Sequence, residues 1–329
     1  MPNTAQTIYI VTNRNVLYSK NNKEIGFGIN FNSKAPDELR LAKVTGTPKN
    51  WKIKIFPESS NKNSPGKTTS PAIPPPSEKM FIDLLKRMNK HKRNCLFFVH
   101  GFNNPIEDVV ERCMRFQKKF KVEVVAFSWP ADEGIVGATN YRTQKGEAKK
   151  SVNAFDRCLK KLNEYLLKHA DKRCDLKFNI AFHSMGNYLL KHFMKSSEHA
   201  RDTLIFDNVI LMAADTNNEG HAEWVDSLQH RKRIYITINE NDNALALSRM
   251  KFGKLQKARL GHYTKDLFST KAVYLDFTHA DRVGDDHSYF EGKPLNNQNV
   301  RKVFDKMFNG QTVEDQLKYD PHSGLHRVP

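Results

Sequence analysis

Short apolar runs alternate with longer amphipathic segments over most of this chain, from residue 78 to residue 310. The runs, which are predicted strands, cover residues 95–99, 122–127, 178–182, 208–213, 233–238 and 272–277. Between them, apolar residues recur every three or four positions, as in the helix that carries Phe155, Leu159 and Leu162. Some runs are apolar throughout, which is typical of a parallel strand that is covered on both faces. This alternation predicts an α/β fold with a doubly wound, mostly parallel sheet.

The residues on either side of this core have different patterns. β-branched and aromatic runs predict further strands at residues 7–12, 25–31 and 51–56. We therefore expect residues 1–56 to join the sheet as an N-terminal β extension. Residues 57–77 are rich in Pro, Ser and Lys, which predicts a flexible linker, with a proline-rich recognition motif as the alternative. With the core at 78–310, residues 311–329 are expected to form a C-terminal tail.

Basic residues exceed acidic ones, with 53 Lys and Arg against 36 Asp and Glu and a net charge of +17. Such an excess attracts anionic lipid surfaces, nucleic acid or acidic partners. The basic residues are scattered and no aromatic-interleaved motif accompanies them, so specific nucleic-acid binding is not indicated. A solvated basic surface is the simpler interpretation, and an anionic surface or a protein partner is the alternative. Nothing in the pattern indicates an oligomeric state.

The four cysteines, Cys95, Cys113, Cys158 and Cys174, show no spacing typical of metal ligands. No basic segment followed by an apolar one opens the chain, and no apolar run approaches the ~18 residues that cross a bilayer. We therefore expect reduced thiols, a cytoplasmic protein, and no metal or organic cofactor.

A serine follows the strand at 178–182, within the sequence HSMGN. A serine between a strand and a helix, with glycine two positions later, is the pattern of a nucleophile elbow, in which Ser184 would stand above the sheet. Gly186 would let neighbouring chain approach closely. The usual motif has glycine where Phe182 stands, so we expect either that the phenyl ring points away or that the turn opens. An ordinary N-cap serine is the alternative interpretation.

The sequence HGFNN follows the first strand of the core. A His-Gly loop in this place is typical of serine hydrolases, in which it supplies a backbone N–H to a developing oxyanion. We expect the two donors to be the N–H groups of Phe102 and of Met185, the residue after the serine. Gly101 and Gly186 are expected in supporting roles. The side chain of His100 is expected to hold the loop rather than to transfer protons.

An acid is needed after a later strand to orient a catalytic histidine. We choose Asp242, in the sequence NENDN, although an N-cap aspartate is a serious alternative there. Glu240 and Asp215 are the competing acids. In the final loop His287 is preferred to His279, which lies too close to the end of its strand. The serine, acid and histidine then follow three different strands in the order that one large class of serine hydrolases uses.

Taken together, these motifs resemble a bacterial, esterase- or lipase-like branch of the α/β-hydrolase superfamily that is known chiefly as a domain of unknown function. The motifs are FVHGFNN (98–104), FSWP (127–130), HSMGN (183–187), NDNALALS (241–248), HSYF (287–290) and VTNR (11–14). The resemblance implies a serine-hydrolase fold with the triad Ser184, Asp242 and His287. It implies no particular substrate.

We therefore expect a serine hydrolase that cleaves an ester-type bond, such as a carboxylic ester, a lipid ester or a thioester, through an acyl-enzyme. The short connection from residue 215 to residue 232 leaves no room for a large cap domain, so an open site is expected. A lid could come from residues 131–146, from residues 253–269 or from the N-terminal part. An open site beside positive charge would suit acyl chains on anionic lipids. The alternative is an inactive hydrolase fold that binds partners within a basic assembly, which Phe182 and the net charge favour.

Overall fold

In a computed structural model, the chain forms a large sheet with helices on both of its faces. The structure describes residues 5–56, 74–131, 137–172, 175–195, 203–250 and 257–329. Its strands are β1 (Gln6–Thr12), β2 (Arg14–Tyr18), β3 (Glu24–Phe31), β4 (Arg40–Thr47), β5 (Asn50–Ile55), β6 (Cys95–Val99), β7 (Glu123–Ser128), β8 (Phe178–His183), β9 (Asn208–Met212), β10 (Arg233–Ile238), β11 (Ala272–Asp276), β12 (Lys318–Asp320) and β13 (Leu325–Arg327). Its helices are α1 (Pro76–His91), α2 (Ile106–Phe120), α3 (Ala138–Lys150), α4 (Val152–Lys168), α5 (Gly186–Met194), α6 (His221–Val225), α7 (Asn243–Arg249) and α8 (Gln298–Phe308).

Eleven of these strands form one sheet, in the order β12-β13-β11-β10-β9-β8-β6-β7-β1-β4-β5. The six central strands, β6 to β11, pair in parallel, and β1 runs parallel to β7. The antiparallel pairs of the described sheet lie towards its two edges. The doubly wound, mostly parallel α/β sheet predicted from the alternation of apolar runs is confirmed.

Different helices cover the two faces of this sheet. In β6, Phe97 and Val99 belong to the apolar layer under α1, α4 and α5, whereas Leu96 and Phe98 belong to the layer under α2 and α8. Every residue of β6 is therefore buried, which explains why its sequence is an unbroken apolar run. Each fully buried side chain of this size contributes about 1.5–3 kcal/mol to folding.

The N-terminal strands divide between two sheets. β1, β4 and β5 extend the main sheet beyond β7, while β2 and β3 pair only with each other in a separate hairpin. Residues 57–73 of the predicted linker lie outside the described residues, and α1 begins at Pro76, within the linker's predicted bounds. Residues 311–329, predicted as a tail, contain β12 and β13, and β13 pairs in parallel with β11. These two strands have only three residues each, too few for a sequence pattern to identify.

The segments considered as lids are partly helical. Residues 138–150 form α3, which buries Tyr141, Gln144 and Ala148, while residues 132–136 lie outside the described part of the chain. Of residues 253–269, the first four also lie outside it. None of the described helices combines the length and the apolar character needed to span a bilayer.

Candidate active site

Ser184 lies in the turn between β8 and α5, at the carboxyl end of a central strand. Its φ is +52°, in the left-handed region that residues with a side chain seldom adopt. Its N–H donates to the carbonyl oxygen of Met212 at 3.0 Å, and its own carbonyl accepts from the N–H of Asp215 at 3.2 Å. A strained serine held in this way between a strand and a helix has the backbone geometry of a nucleophile elbow.

Two glycines allow another segment to pass directly against this turn. A Cβ at position 186 would lie 2.8 Å from the carbonyl oxygens of both Val99 and His100. A Cβ at Gly101 would lie 2.7 Å from the Cβ of Ser184. The turn after β8 and the loop after β6 are therefore in backbone contact, which only residues without a side chain permit.

Alanine at position 186 is expected to lower the free energy of unfolding by about 1–3 kcal/mol, because its methyl group must displace two backbone carbonyls. Urea unfolding followed by tryptophan fluorescence measures this change. Gly146→Ala is the matched control, since a Cβ at this helical position meets no atom within 4 Å. It should leave stability unchanged or raise it by up to about 1 kcal/mol. Equal stability of the two variants would contradict the close approach.

Phe182, at the position where glycine is usual, points its ring away from the turn. The ring is fully buried and packs edge-on against Phe155 of α4, with 5.8 Å between ring centroids.

The side chain of Asn187, for which no role was predicted from the sequence, stabilises the turn by hydrogen bonds. Its side-chain nitrogen lies within hydrogen-bonding distance of the carbonyl oxygens of Phe182 (3.1 Å), Ser184 (3.2 Å) and Met212 (3.2 Å). The sequence feature that could have indicated this role of Asn187 is its position as the last residue of the HSMGN motif.

Asp242 and His287 are in direct contact beyond the ends of β10 and β11. Nδ1 of His287 donates to Oδ2 of Asp242 at 2.6 Å. The Asp242 side chain is fully buried, whereas that of His287 is 23% exposed. Because the carboxylate accepts this hydrogen bond, Nδ1 carries the proton and Nε2 of the neutral ring is an acceptor. Such a pair can take up a proton at Nε2 and stabilise the imidazolium that forms.

The same carboxylate begins helix α7. Oδ1 of Asp242 accepts a hydrogen bond from the N–H of Leu245 at 2.9 Å, which is the N-cap interaction. The two roles that the sequence left as alternatives, N-cap and partner of a histidine, are therefore filled by the two oxygens of one group.

The competing candidates make other contacts. The Asp215 carboxylate is buried among tyrosine, serine and arginine side chains. Glu240 accepts a hydrogen bond from a threonine hydroxyl, and His279 is exposed. Among the described residues, Asp242 is the only carboxylate that is hydrogen-bonded to the ring of His287.

His183, directly before the serine, connects the elbow with the loop that carries His287. Its Nε2 donates to the carbonyl oxygen of His287 at 3.2 Å, and the two ring centroids are 4.7 Å apart. No hydrogen bond joins the Ser184 hydroxyl to the His287 ring within the described part of the chain. Hydrogen bonds of this kind often tighten only in the substrate complex. His183 is a second residue of HSMGN that the sequence analysis left without a role.

His100 is enclosed by the loop it begins and by Trp129 of the FSWP motif. The two rings stack with centroids 5.0 Å apart and an interplanar angle of 10°. The N–H of Trp129 donates to Nε2 of His100 at 3.2 Å, and Nδ1 of His100 donates to the carbonyl of Gly101 at 2.9 Å. Burial, together with the nearby charge of Arg14, holds the pKa of His100 well below its ordinary value. The ring is neutral, with both nitrogens engaged, and it holds the loop in place.

The N–H groups of Phe102 and Met185 lie on the two segments that the glycines bring together. The N–H of Met185 has no acceptor among the described residues.

The loop that carries Phe102 is in contact with helix α3. Beside Phe102, Asn103 has a φ of +54° and its N–H donates to Oε1 of Gln144 at 2.9 Å. The ring of Phe102 also meets that of Tyr141, with 5.8 Å between centroids. Helix α3 therefore supports the loop on which the predicted oxyanion donor lies.

Arg14 of the VTNR motif is fully buried and connects three of the motifs. Its guanidinium donates to the carbonyl of Asn104 at 2.7 Å and to the hydroxyl of Ser128 at 2.9 Å, and it lies 3.4 Å from Nε2 of His100. Burial lowers the pKa of Arg14 to about 9, so the side chain remains a cation at neutral pH. In the sequence, Arg14 stands out only as part of the VTNR motif, since no pattern places an arginine in a core.

The buried rings of His100 and His183 are expected to make the protein less stable in mild acid. Burial holds the pKa of both rings well below 6.5 in the folded protein, whereas the unfolded chain titrates near 6.5. As the pH falls below that value, the unfolded state takes up protons that the folded state does not. The free energy of unfolding should therefore fall by about 1.4 kcal/mol for each ring between about pH 7.5 and 5.5.

Urea unfolding at these two pH values measures the loss of stability. Replacing the exposed His279 by glutamine should leave the loss unchanged. A free energy of unfolding that is the same at both pH values would show that the two buried rings do not stay neutral.

A cavity of about 720 Å³ lies between α1 and α4, and none of the predicted site residues lines it. Its walls include Tyr9, Met80, Phe97 and Leu162. In the part of the chain that the structure describes, no group of three or more His, Cys, Asp or Glu side chains is placed to hold a metal ion.

A protein-family model described as "Alpha/beta hydrolase of unknown function (DUF900)" matches residues 77–294, more than half of the chain. The matched segment includes Ser184, Asp242, His287 and both segments with the predicted oxyanion donors, and it begins after Arg14. No curated protein and no solved structure matches the chain.

Proposed function

Because the chain belongs to this family of α/β-hydrolases, we propose that it is a serine hydrolase of the esterase or lipase type. The observation that carries the proposal is the 2.6 Å hydrogen bond from His287 to the buried carboxylate of Asp242. This pair lies at the carboxyl ends of parallel strands, the same edge of the sheet as the serine turn, where α/β folds hold their reactive groups.

In the proposed reaction, Nε2 of His287 removes the proton of the Ser184 hydroxyl as its oxygen attacks the carbonyl carbon of an ester. The developing oxyanion accepts hydrogen bonds from the N–H groups of Phe102 and Met185. Asp242 stabilises the imidazolium, which then gives its proton to the departing alcohol or, from a thioester, to the departing thiol. Water, activated by the same histidine, releases the acid from the acyl-enzyme. The bond can be a carboxylic ester, a lipid ester or a thioester.

The alternative, an inactive fold kept for binding, depended on Phe182 and on the net charge. The ring of Phe182 packs in the core against Phe155, so its size does not bear on the turn. A protein that only binds has no need of a strained serine and, at the same edge of the sheet, a histidine oriented by a buried carboxylate.

The test is labelling of the folded protein by a fluorophosphonate, with the modified peptide identified by mass spectrometry. Labelling at Ser184, together with turnover of 4-nitrophenyl esters, is the expected result. Well-folded protein that is neither labelled nor active on esters would overturn the proposal.

A further inference from the structure

The ammonium group of Lys145 is held between two tyrosine rings near the proposed site. Its Nζ lies 4.7 Å from the ring centroid of Tyr141 and 4.8 Å from that of Tyr188. Tyr141 is one helical turn earlier on α3, and Tyr188 lies in the first turn of α5. Aromatic faces favour a cation and fix its position, but they do not neutralise its charge.

Lys145 belongs to a group of four lysines, which we call the lysine cluster: Lys145, Lys149, Lys191 and Lys195. Within the described residues, none of the four forms an ion pair. Burial and the positive charges of all four lysines lower the pKa of His192 to about 4. The ring of His192 in turn contacts Tyr188, with 4.4 Å between centroids. The surface where α3 meets α5 therefore carries positive charge that forms no ion pair with an acid of the described residues.

Asp215 attracts the ammonium group of Lys145 electrostatically but forms no ion pair with it among the described residues. Oδ1 of Asp215 accepts from the hydroxyl of Ser248 at 2.6 Å and lies 3.2 Å from Nε of Arg259. Oδ2 accepts from the hydroxyl of Tyr141 at 2.7 Å. Both oxygens of the Asp215 carboxylate are thus engaged by a buried arginine and two hydroxyl groups, so an anion in direct contact with Lys145 would be part of a bound molecule.

The two tyrosines that contact Lys145 connect the lysine cluster with the proposed reacting groups. Tyr188, which contacts Lys145, is four residues after Ser184 on the helix that the elbow begins. Tyr141, the other contact, packs its ring on Phe102 and donates its hydroxyl to Asp215, whose N–H donates to the carbonyl of Ser184. An anion bound at Lys145 would therefore lie next to the loop and the turn that surround a reacting ester.

We propose that the substrate carries an anionic group, a carboxylate or a phosphate, that binds the ammonium of Lys145 with support from Lys191. This inference rests on the proposed function and names its substrate class. The attraction fixes the end of the substrate away from the reacting carbonyl, and a charge-assisted hydrogen bond to the ammonium supplies the specificity.

The test compares two esters of similar length, 4-nitrophenyl butyrate and mono-4-nitrophenyl glutarate, of which only the second ends in a carboxylate. The wild type should have the higher kcat/KM for the glutarate ester. Lys145→Met should lower that value by about tenfold or more and change kcat/KM for the butyrate ester less than about twofold, as expected for loss of one charge-assisted hydrogen bond. Lys86→Met, which removes an exposed lysine of α1, is the matched control and should behave as wild type.

Binding of glutarate and of inorganic phosphate, measured by calorimetry, tests the anion site independently of turnover. Lys145→Met should weaken binding by about tenfold or more, and Lys145→Arg should restore most of it. Release of fatty acid from phosphatidylglycerol but not from phosphatidylcholine vesicles would identify a lipid headgroup as the source of the anion. Preference for the glutarate ester alone would identify a small acid.

Equal kcat/KM for the two esters, or a parallel loss on both in Lys145→Met, would overturn the inference, as would anion binding that does not depend on Lys145. Failure of the proposed function has a different signature. In that case Ser184 would not react with the fluorophosphonate, whatever the result of the binding measurements.

Discussion

Replacing Ser184 by alanine is expected to lower ester turnover by roughly 10⁴- to 10⁶-fold and to abolish labelling by a fluorophosphonate. The hydroxyl oxygen is the atom that forms the acyl-enzyme, and no neighbouring group can take its place on the turn. Any remaining rate would come from the oxyanion donors and from substrate binding alone. Initial rates on a 4-nitrophenyl ester, with circular dichroism to confirm folding, measure the loss.

The strain at this position provides an internal control. With a φ of +52°, alanine is about as strained as serine, whereas glycine is not. Ser184→Gly should therefore be as inactive as Ser184→Ala but more stable, by about 0.5–2 kcal/mol. The hydroxyl of Ser227 donates to the carbonyl oxygen of Trp224, three residues earlier, so Ser227→Ala should keep wild-type activity. Wild-type turnover in Ser184→Ala would mean that another group is the nucleophile.

The central sheet could be predicted from the sequence because both of its faces are buried. The predicted bounds of β6 and β10 agree with the structure to the residue. β6 is covered on both sides, so its sequence is an apolar run that ends where polar residues begin. The carboxyl ends of such strands meet at one edge, so chain order alone indicated that Asp242 and His287 would lie close together.

The surroundings of the site could not be predicted in the same way. Arg14 reaches Ser128 and Asn104 across separations of 114 and 90 residues, and no local pattern encodes such contacts. Helix α3 buries only three of its thirteen residues, so its amphipathic pattern is too weak to distinguish it from a surface loop. The support that α3 gives to the loop at Asn103 was missed for the same reason.

Replacing Asp242 by asparagine is expected to separate catalysis from folding. The carbonyl oxygen of asparagine can accept the N–H of Leu245 as Oδ1 does now, and asparagine caps helices as well as aspartate does. The free energy of unfolding should therefore change by less than about 1 kcal/mol. Asp242→Ala, which loses the cap as well, should be less stable than the asparagine variant by about 1 kcal/mol.

Activity should fall far more than stability. If the side-chain oxygen of the introduced asparagine accepts the N–H of Leu245, its NH₂ group points towards His287. A donor at that position favours the histidine tautomer in which Nδ1 is the acceptor. Nε2 then carries the proton and cannot remove one from Ser184, so kcat should fall by about 10³- to 10⁴-fold. Asp285→Asn makes the same change of charge at an exposed carboxylate nearby and should retain activity. An Asp242→Asn variant that turns over esters normally would leave Asp242 as a helix cap only, and the orienting acid would have to be sought at Glu240 or Asp215.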